Sequence, residues 1–417
     1  MIETLNIILL FFIPLTIARR VIKHHSAAVL NPMVYPLVFA YLYLIVPTAY
    51  LDDVLPVYGF NFSESAKETV DLLSIWYVLV FYLFYYFSPD LKPIPTNEGV
   101  IASTPQPTSV VVAISSALIV TIVISVVIYS HGRNLLAIRS DRIAAFLYYQ
   151  TNIFDTYKIL TLITVMMGAV QVLIWRYKTI FPILLLAPFV LLDFLHGGRI
   201  MSLMVLLFSY INFIIFKSKG AIYVPIVIGA LLILSGILQR SATEHFDEIG
   251  ISLALGEFTT SKIATYHTAQ FFTGAGNPYE YFTRSVFGIF PPVLVDFFLP
   301  KSSVPFYLYI SNSIGRESGF TNTLVGEALF YGGLSFSVVS PILIALFYRV
   351  ILYQYSKIMS FPKFLLFLLI ILRTQNAFRL GIYSNSFQSF YVMYSYYIFY
   401  TFLEWNKPFL KFSKVDA

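Results

Sequence analysis

The stretch GRESGFTNTLVGEALFYGG, residues 315–333, sets Arg316, Glu317 and Glu327 against a glycine-spaced apolar run. Ser318, Gly319, Thr321, Asn322 and Thr323 read as a polar turn capping the next helix, with Glu327 about one turn inside it. An ionisable side chain at that depth is costly unless it is paired or used, and Arg316 is its nearest partner along the chain. Either the two form a clamp that holds the preceding loop on the helices, or they belong to a site. A second arginine, in DFLHGGRIMSL (193–203), follows a Gly197–Gly198 reversal between two apolar runs. That reversal aims Arg199 and the first N–H groups of a helix at one spot, a natural anion site, and Asp193 and His196 are spaced to pair. A third group, Arg373 and Arg379, falls in LRTQNAFRLGIYSNSFQSF (372–390) at a helix end. Interfacial snorkelling is the plain alternative for each of these arginines.

The long polar segment 240–322 holds Arg240, Arg284 and two histidines, His245 and His267, among many Tyr, Phe, Asn and Gly residues. Aromatic faces beside amides and hydroxyls suit sugar rings, which present C–H patches and hydroxyl groups. His267, His245 and Glu327 are the candidate bases, His267 first because it lies in the aromatic part of the segment. Glu244, Asp247 and Glu248 read as a solvated face. No HExxH, DxD, GxSxG, P-loop or zinc spacing occurs, so no metal site is expected.

What must position these residues is a set of membrane helices. The chain of 417 residues is 58% hydrophobic and only 12% charged, with mean hydropathy +0.77. A soluble domain carries about twice that share of charge. Continuous apolar runs disfavour an outer-membrane barrel. They give about eleven spans, near 4–18, 33–51, 69–88, 109–130, 157–175, 179–195, 200–216, 221–239, 323–348, 364–380 and 388–404. The expected fold is therefore an all-α polytopic bundle forming one membrane domain, 1–417. Segment 240–322 is its large outer loop, and 89–108 is a Pro/Thr-rich link on the cytoplasmic side. Cysteine is absent. The first apolar run has its acid before it and Arg19, Arg20 and Lys23 after it, the reverse of a cleavable signal, so it reads as a retained helix. The net charge of +6 is spread too thinly for nucleic acid.

Alternating the spans places ten of fourteen lysines on one face, the cytoplasmic one by the positive-inside rule. The N-terminus is then periplasmic and the C-terminus cytoplasmic. Nine of thirteen arginines fall on the opposite face: Arg133, Arg139, Arg142, Arg199, Arg240, Arg284, Arg316, Arg373 and Arg379. Guanidinium groups grip phosphate oxygens bidentately, so an arginine-rich outer face fits a lipid-linked phosphate or pyrophosphate.

At the GGR hairpin, the late outer loop and the turn leading into GEALFYGGLSF, the chain resembles the Wzy-type O-antigen polymerases, at motif level over about 190–380. The resemblance implies a GT-C-like bundle in the bacterial inner membrane. Its activity would be a periplasmic-face transferase that moves a growing glycan from undecaprenyl pyrophosphate onto a newly flipped lipid-linked repeat unit. It implies no cofactor, metal or nucleotide sugar, and a Wzz-type chain-length co-polymerase as partner. Arg199, Arg316, Arg373 and Arg379, with Arg240 and Arg284 behind them, would stabilise the departing pyrophosphate. The related O-antigen ligase needs the same features. A flippase for the lipid-linked repeat is the reading from another class, and should place charge inside spans that here look clean. A metal-dependent glycosyltransferase would use Asp52 and Asp53, which otherwise simply end the second span.

Overall fold

The computed structural model describes residues 2–24, 28, 30–56, 59–94, 107–138, 148–149, 151–153, 156–196, 200–215, 256–287, 306–313, 323–356, 359–360, positions 367, 370, 371, 374, 377, 378, 381 and 382, and 408–415. Among these the chain is mostly helical. Among the described residues five helices are long and apolar enough to cross a membrane, which marks the chain as a membrane protein.

Helix α1 (Ile2–His24) buries Asn6, Leu9 and Ile13 and leaves Phe11 and Leu15 exposed, the one-sided burial of a helix at a bundle edge. Helix α2 (Val34–Ala40) is buried along nearly its whole length and runs into a π turn (Tyr41–Ile45) and a 3-10 turn (Val46–Ala49). Pro47 has no N–H to give the Tyr43 carbonyl, so regular α-helical bonding fails here. The short α3 (Leu51–Val54) follows. Helix α4 (Glu64–Tyr86) starts at Ser63, whose hydroxyl accepts the Ala66 N–H at 3.3 Å.

Helix α5 (Pro107–Ile138) buries small residues such as Ala113 and Ala117 against α6 (Thr156–Tyr177) and α7 (Ala187–His196), and exposes Val111, Leu118, Ile122 and Tyr129. Such an apolar exterior is what lipid accepts. A 3-10 turn (Phe181–Leu186) leads into α7, and α8 (Ile200–Ile215) packs beside it. The buried amides of Gln171 and Asn212 bond reciprocally at 2.8 and 2.9 Å, fixing α6 against α8. The expected spans near 221–239 and 388–404 lie outside the described residues.

Helices α9 (Gly256–Phe271), α10 (Pro278–Phe287) and α11 (Phe306–Ser313) belong to the expected outer loop. Yet α9 is inside the bundle, with Ser261 to Tyr266 and Thr268 buried between α4, the irregular turns and α12 (Leu324–Tyr355). Helix α12 is two helices in series. Gly333, at φ 61° and ψ −158°, breaks it in a conformation that glycine alone adopts easily. Further on, Pro341 denies the Ser337 carbonyl its N–H partner, and the Ser340 hydroxyl lies 3.4 Å from that carbonyl instead.

One small sheet departs from the all-α expectation. Strands β1 (Asp90–Ile94), β2 (Met359–Ser360) and β3 (Pro408–Val415) pair antiparallel in the order β1-β3-β2. The three short segments supply one another's backbone hydrogen-bond partners. Pro93 is tolerated because β1 is an edge strand. The sheet gathers the ends of α4 and α12 and the C-terminal tail at one end of the bundle. Arg20 of α1 ties in there, donating to Asp90 Oδ2 at 2.9 Å, to the Tyr85 carbonyl at 2.6 Å and to the Ser88 carbonyl. The expected 89–108 link therefore begins as a strand.

Candidate functional site

Thr323 caps α12 with its hydroxyl, accepting the Gly326 N–H at 3.1 Å, and bonds the Thr265 hydroxyl of α9 at 2.6 Å. The residues from Thr323 to Tyr331 are all buried. Glu327, expected near the interface, is fully enclosed at 0% exposure. Its Oε2 accepts the Ile382 N–H at 2.6 Å and lies 3.3 Å from the Tyr281 hydroxyl of α10. Gly381, at φ +83°, brings the 381–382 backbone onto the carboxylate, and a Cβ there would fall inside it. Glu327 thus draws together α10, α12 and the 381–382 segment, and these bonds offset part of the cost of burying a polar group.

A strap fixes the end of this buried half-helix. The N–H groups of Gly274 and Gly276 donate to the carbonyls of Leu329 and Phe330, both at 2.8 Å, just before the Gly333 break. A Cβ on Gly276 would lie 2.6 Å from Tyr331 and 2.7 Å from Phe330, so the approach requires glycine.

His267 is half-buried near the C-terminal end of α9. Its ring lies 4.8 Å from Phe271, 5.5 Å from Phe272 and 6.4 Å from Phe62, centroid to centroid. The aromatic wall continues through Tyr309, Phe330 and Tyr331 to Tyr281, which reaches Glu327. Burial pushes the imidazole below its usual pKa, so it is neutral at pH 7. Its Nε2 is 3.1 Å from the Ser313 hydroxyl, which already donates to the Ile310 carbonyl at 2.7 Å. Ser313 must then accept from Nε2–H, and the basic lone pair is on Nδ1.

The start of α8 is the expected anion site. There the buried Asp193 carboxylate accepts the Ser202 N–H at 2.7 Å. The chain's own aspartate thus meets one of the first N–H groups of α8, and the side chain of His196, its expected partner, lies outside the described residues. Arg199, Arg240, His245, Arg316, Arg373 and Arg379 lie outside the described residues. Arg284 sits in α10, about one turn beyond Tyr281.

Sequence reasoning missed the charge inside the bundle. Lys262 of α9 is 0% exposed and pairs with Asp71 of α4 at 2.8 Å. Tyr266 also donates to Asp71, at 3.1 Å. The spans are therefore not clean, as Asp71 falls within Glu64–Tyr86 and Glu327 within Leu324–Gln354. In sequence Asp71 follows Glu64, Lys67 and Glu68 at the polar start of α4, so nothing local set it apart as a group that would be drawn into the bundle.

No family model, no curated protein and no solved structure matches the chain.

Proposed function

We propose that this protein is a Wzy-type O-antigen polymerase, an inner-membrane bundle of about eleven spans with a GT-C-like arrangement. On the periplasmic face it would transfer a growing glycan from undecaprenyl pyrophosphate onto a lipid-linked repeat unit, with a Wzz-type partner setting chain length. The observation that carries the reading is the seat of Glu327. Three segments meet on it, and arginines flank all three along the chain: Arg284 after Tyr281, Arg316 before Thr323, and Arg379 before Gly381. Arginines carried on those segments would give a pyrophosphate leaving group its charge partners without a metal.

The roles divide by access. A general base must reach the substrate within hydrogen-bonding distance. Glu327 has no exposed surface, so it anchors. His267 is partly open, neutral and walled by aromatic rings that suit a sugar. Its Nδ1 takes the proton of the acceptor hydroxyl as that oxygen bonds to the anomeric carbon. The bond from that carbon to the pyrophosphate oxygen breaks, and the electron pair leaves with the pyrophosphate among the arginines. His245 is the alternative base.

The test is elongation by the purified protein in vesicles, using lipid-linked oligosaccharide extracted from a strain lacking the gene, with EDTA present. Longer lipid-linked chains are expected, and no elongation rejects the polymerase reading. The charge inside the bundle at Lys262, Asp71 and Glu327 favours a second reading, a flippase for the same lipid. Translocation of that lipid without elongation would select it.

A further inference from the structure

We propose that Lys262 is a positioning residue that fixes the depth of α9 in the bundle and, through α9, the seat of Glu327; the second step rests on the function proposed above. The Lys262 ammonium has three N–H groups and three acceptors around it. These are Asp71 Oδ1 at 2.8 Å, Ser74 Oγ at 2.7 Å and the Leu44 carbonyl at 3.0 Å. Asp71 and Ser74 come from α4, and Leu44 lies in the π turn before Pro47, where carbonyls are not all used within the helix. One side chain therefore ties α9 to two other elements, with no donor left over. The Tyr266 hydroxyl on Asp71 adds a second tie from the same helix.

Apolar packing is not directional, so a helix held only by its greasy face can slide. A helix step is about 1.5 Å per residue, enough to break all three ammonium bonds at once. The pair thus admits one depth for α9. The consequence is passed on within a turn. Thr265 bonds Thr323 at 2.6 Å, Thr323 caps α12, and the Glu327 N–H bonds the Thr323 carbonyl at 3.0 Å. A buried ion pair is weak evidence for stability, because apolar residues of similar volume often replace one without loss. Its use here is to choose a position.

The chain has no cysteine, so an introduced pair reports without background. Thr265→Cys with Thr323→Cys places two thiols where the bonded hydroxyls are, within reach of a disulfide. Lys262→Met combined with Asp71→Leu removes both charges and keeps the core apolar, so it is the variant that should fold; Lys262→Met alone is the harsher one. The double change is expected to lower cross-linking several-fold. With the threonines intact, it should lower kcat for extracted lipid-linked oligosaccharide about tenfold or more at unchanged KM, as misplacement far from the chemistry does. Gln171→Leu with Asn212→Leu, an equally buried pair elsewhere, should change neither reading. Unchanged cross-linking in the folded double variant overturns the proposal. Lost cross-linking with undiminished turnover instead rejects the role of the Glu327 seat in the reaction.

Discussion

Gly381→Ala is the sharpest perturbation of the Glu327 seat. The glycine sits at φ +83°, and the added Cβ would fall within the carboxylate. An L-residue in this backbone region costs about 1–2 kcal/mol. Relieving the clash means moving the 381–382 backbone away, which gives up the 2.6 Å bond from Ile382 to Glu327. A hydrogen bond to a charged group contributes about 1.5–3 kcal/mol. The loss should therefore be about 2.5–5 kcal/mol. Gly59 supplies the internal control, because its φ is +73° but nothing lies within 4 Å of where its Cβ would be. Gly59→Ala should show the backbone cost alone, about 1–2 kcal/mol. Melting in detergent, followed by the loss of tertiary fluorescence, compares the two. The Gly381 variant should melt well below the Gly59 variant and fail to make long chains in cells. Equal melting of the two variants would refute the geometry of the seat.

The remaining predictions use other parts of the structure. If His267 is the base, turnover should be flat near neutral pH and fall only as acid protonates the ring, at a pH below 6.5, since burial lowers its pKa; His267→Ala should abolish turnover, and a pH profile with its acid limb unmoved in a residually active His267→Gln variant would exclude it. Gly276→Ala should loosen the strap and move the Gly333 break, seen as faster amide exchange at Gly274 and at position 276. Removing the Asp71 carboxylate should destabilise more than removing the Lys262 ammonium, because it leaves a charge at 0% exposure unpaired, whereas the orphaned aspartate is 18% exposed; equal melting losses would contradict this. Arg20→Met should free the C-terminal strand, so limited proteolysis should cut near residues 408–415 in the variant and spare the parent.

The long spans α1, α4, α5, α6 and α12 were legible because apolar runs near 20 residues long have few other uses. That the ends of α1, α4 and α12 lie on the same side as the tail was legible from the basic residues at each, but not that three strands pair there. Helix α9 was not legible as a core element. Its Thr, Ser, Lys and His residues give it the hydropathy of a loop, and only their partners, Asp71, Ser74 and Thr323, make burial tolerable. The break at Gly333 hides for the opposite reason, as the apolar residues on either side continue without interruption. Glu327 was recognisable as a residue needing a partner. That its partners are the Ile382 N–H and Tyr281, from segments distant in sequence, depends on tertiary packing that no local pattern records. The same holds at the start of α8, where the bond from the Ser202 N–H to Asp193 joins residues that no helical spacing pairs.

The central claim is that the protein joins lipid-linked repeat units into a polymer. Cell-surface lipopolysaccharide from a strain deleted for the gene, separated on a gel, tests it most directly. The account predicts a core bearing a single repeat unit and no ladder, because flipping and ligation continue while polymerisation stops. Bare core with no repeat would point to a flippase or ligase, and an unchanged ladder would contradict the account altogether.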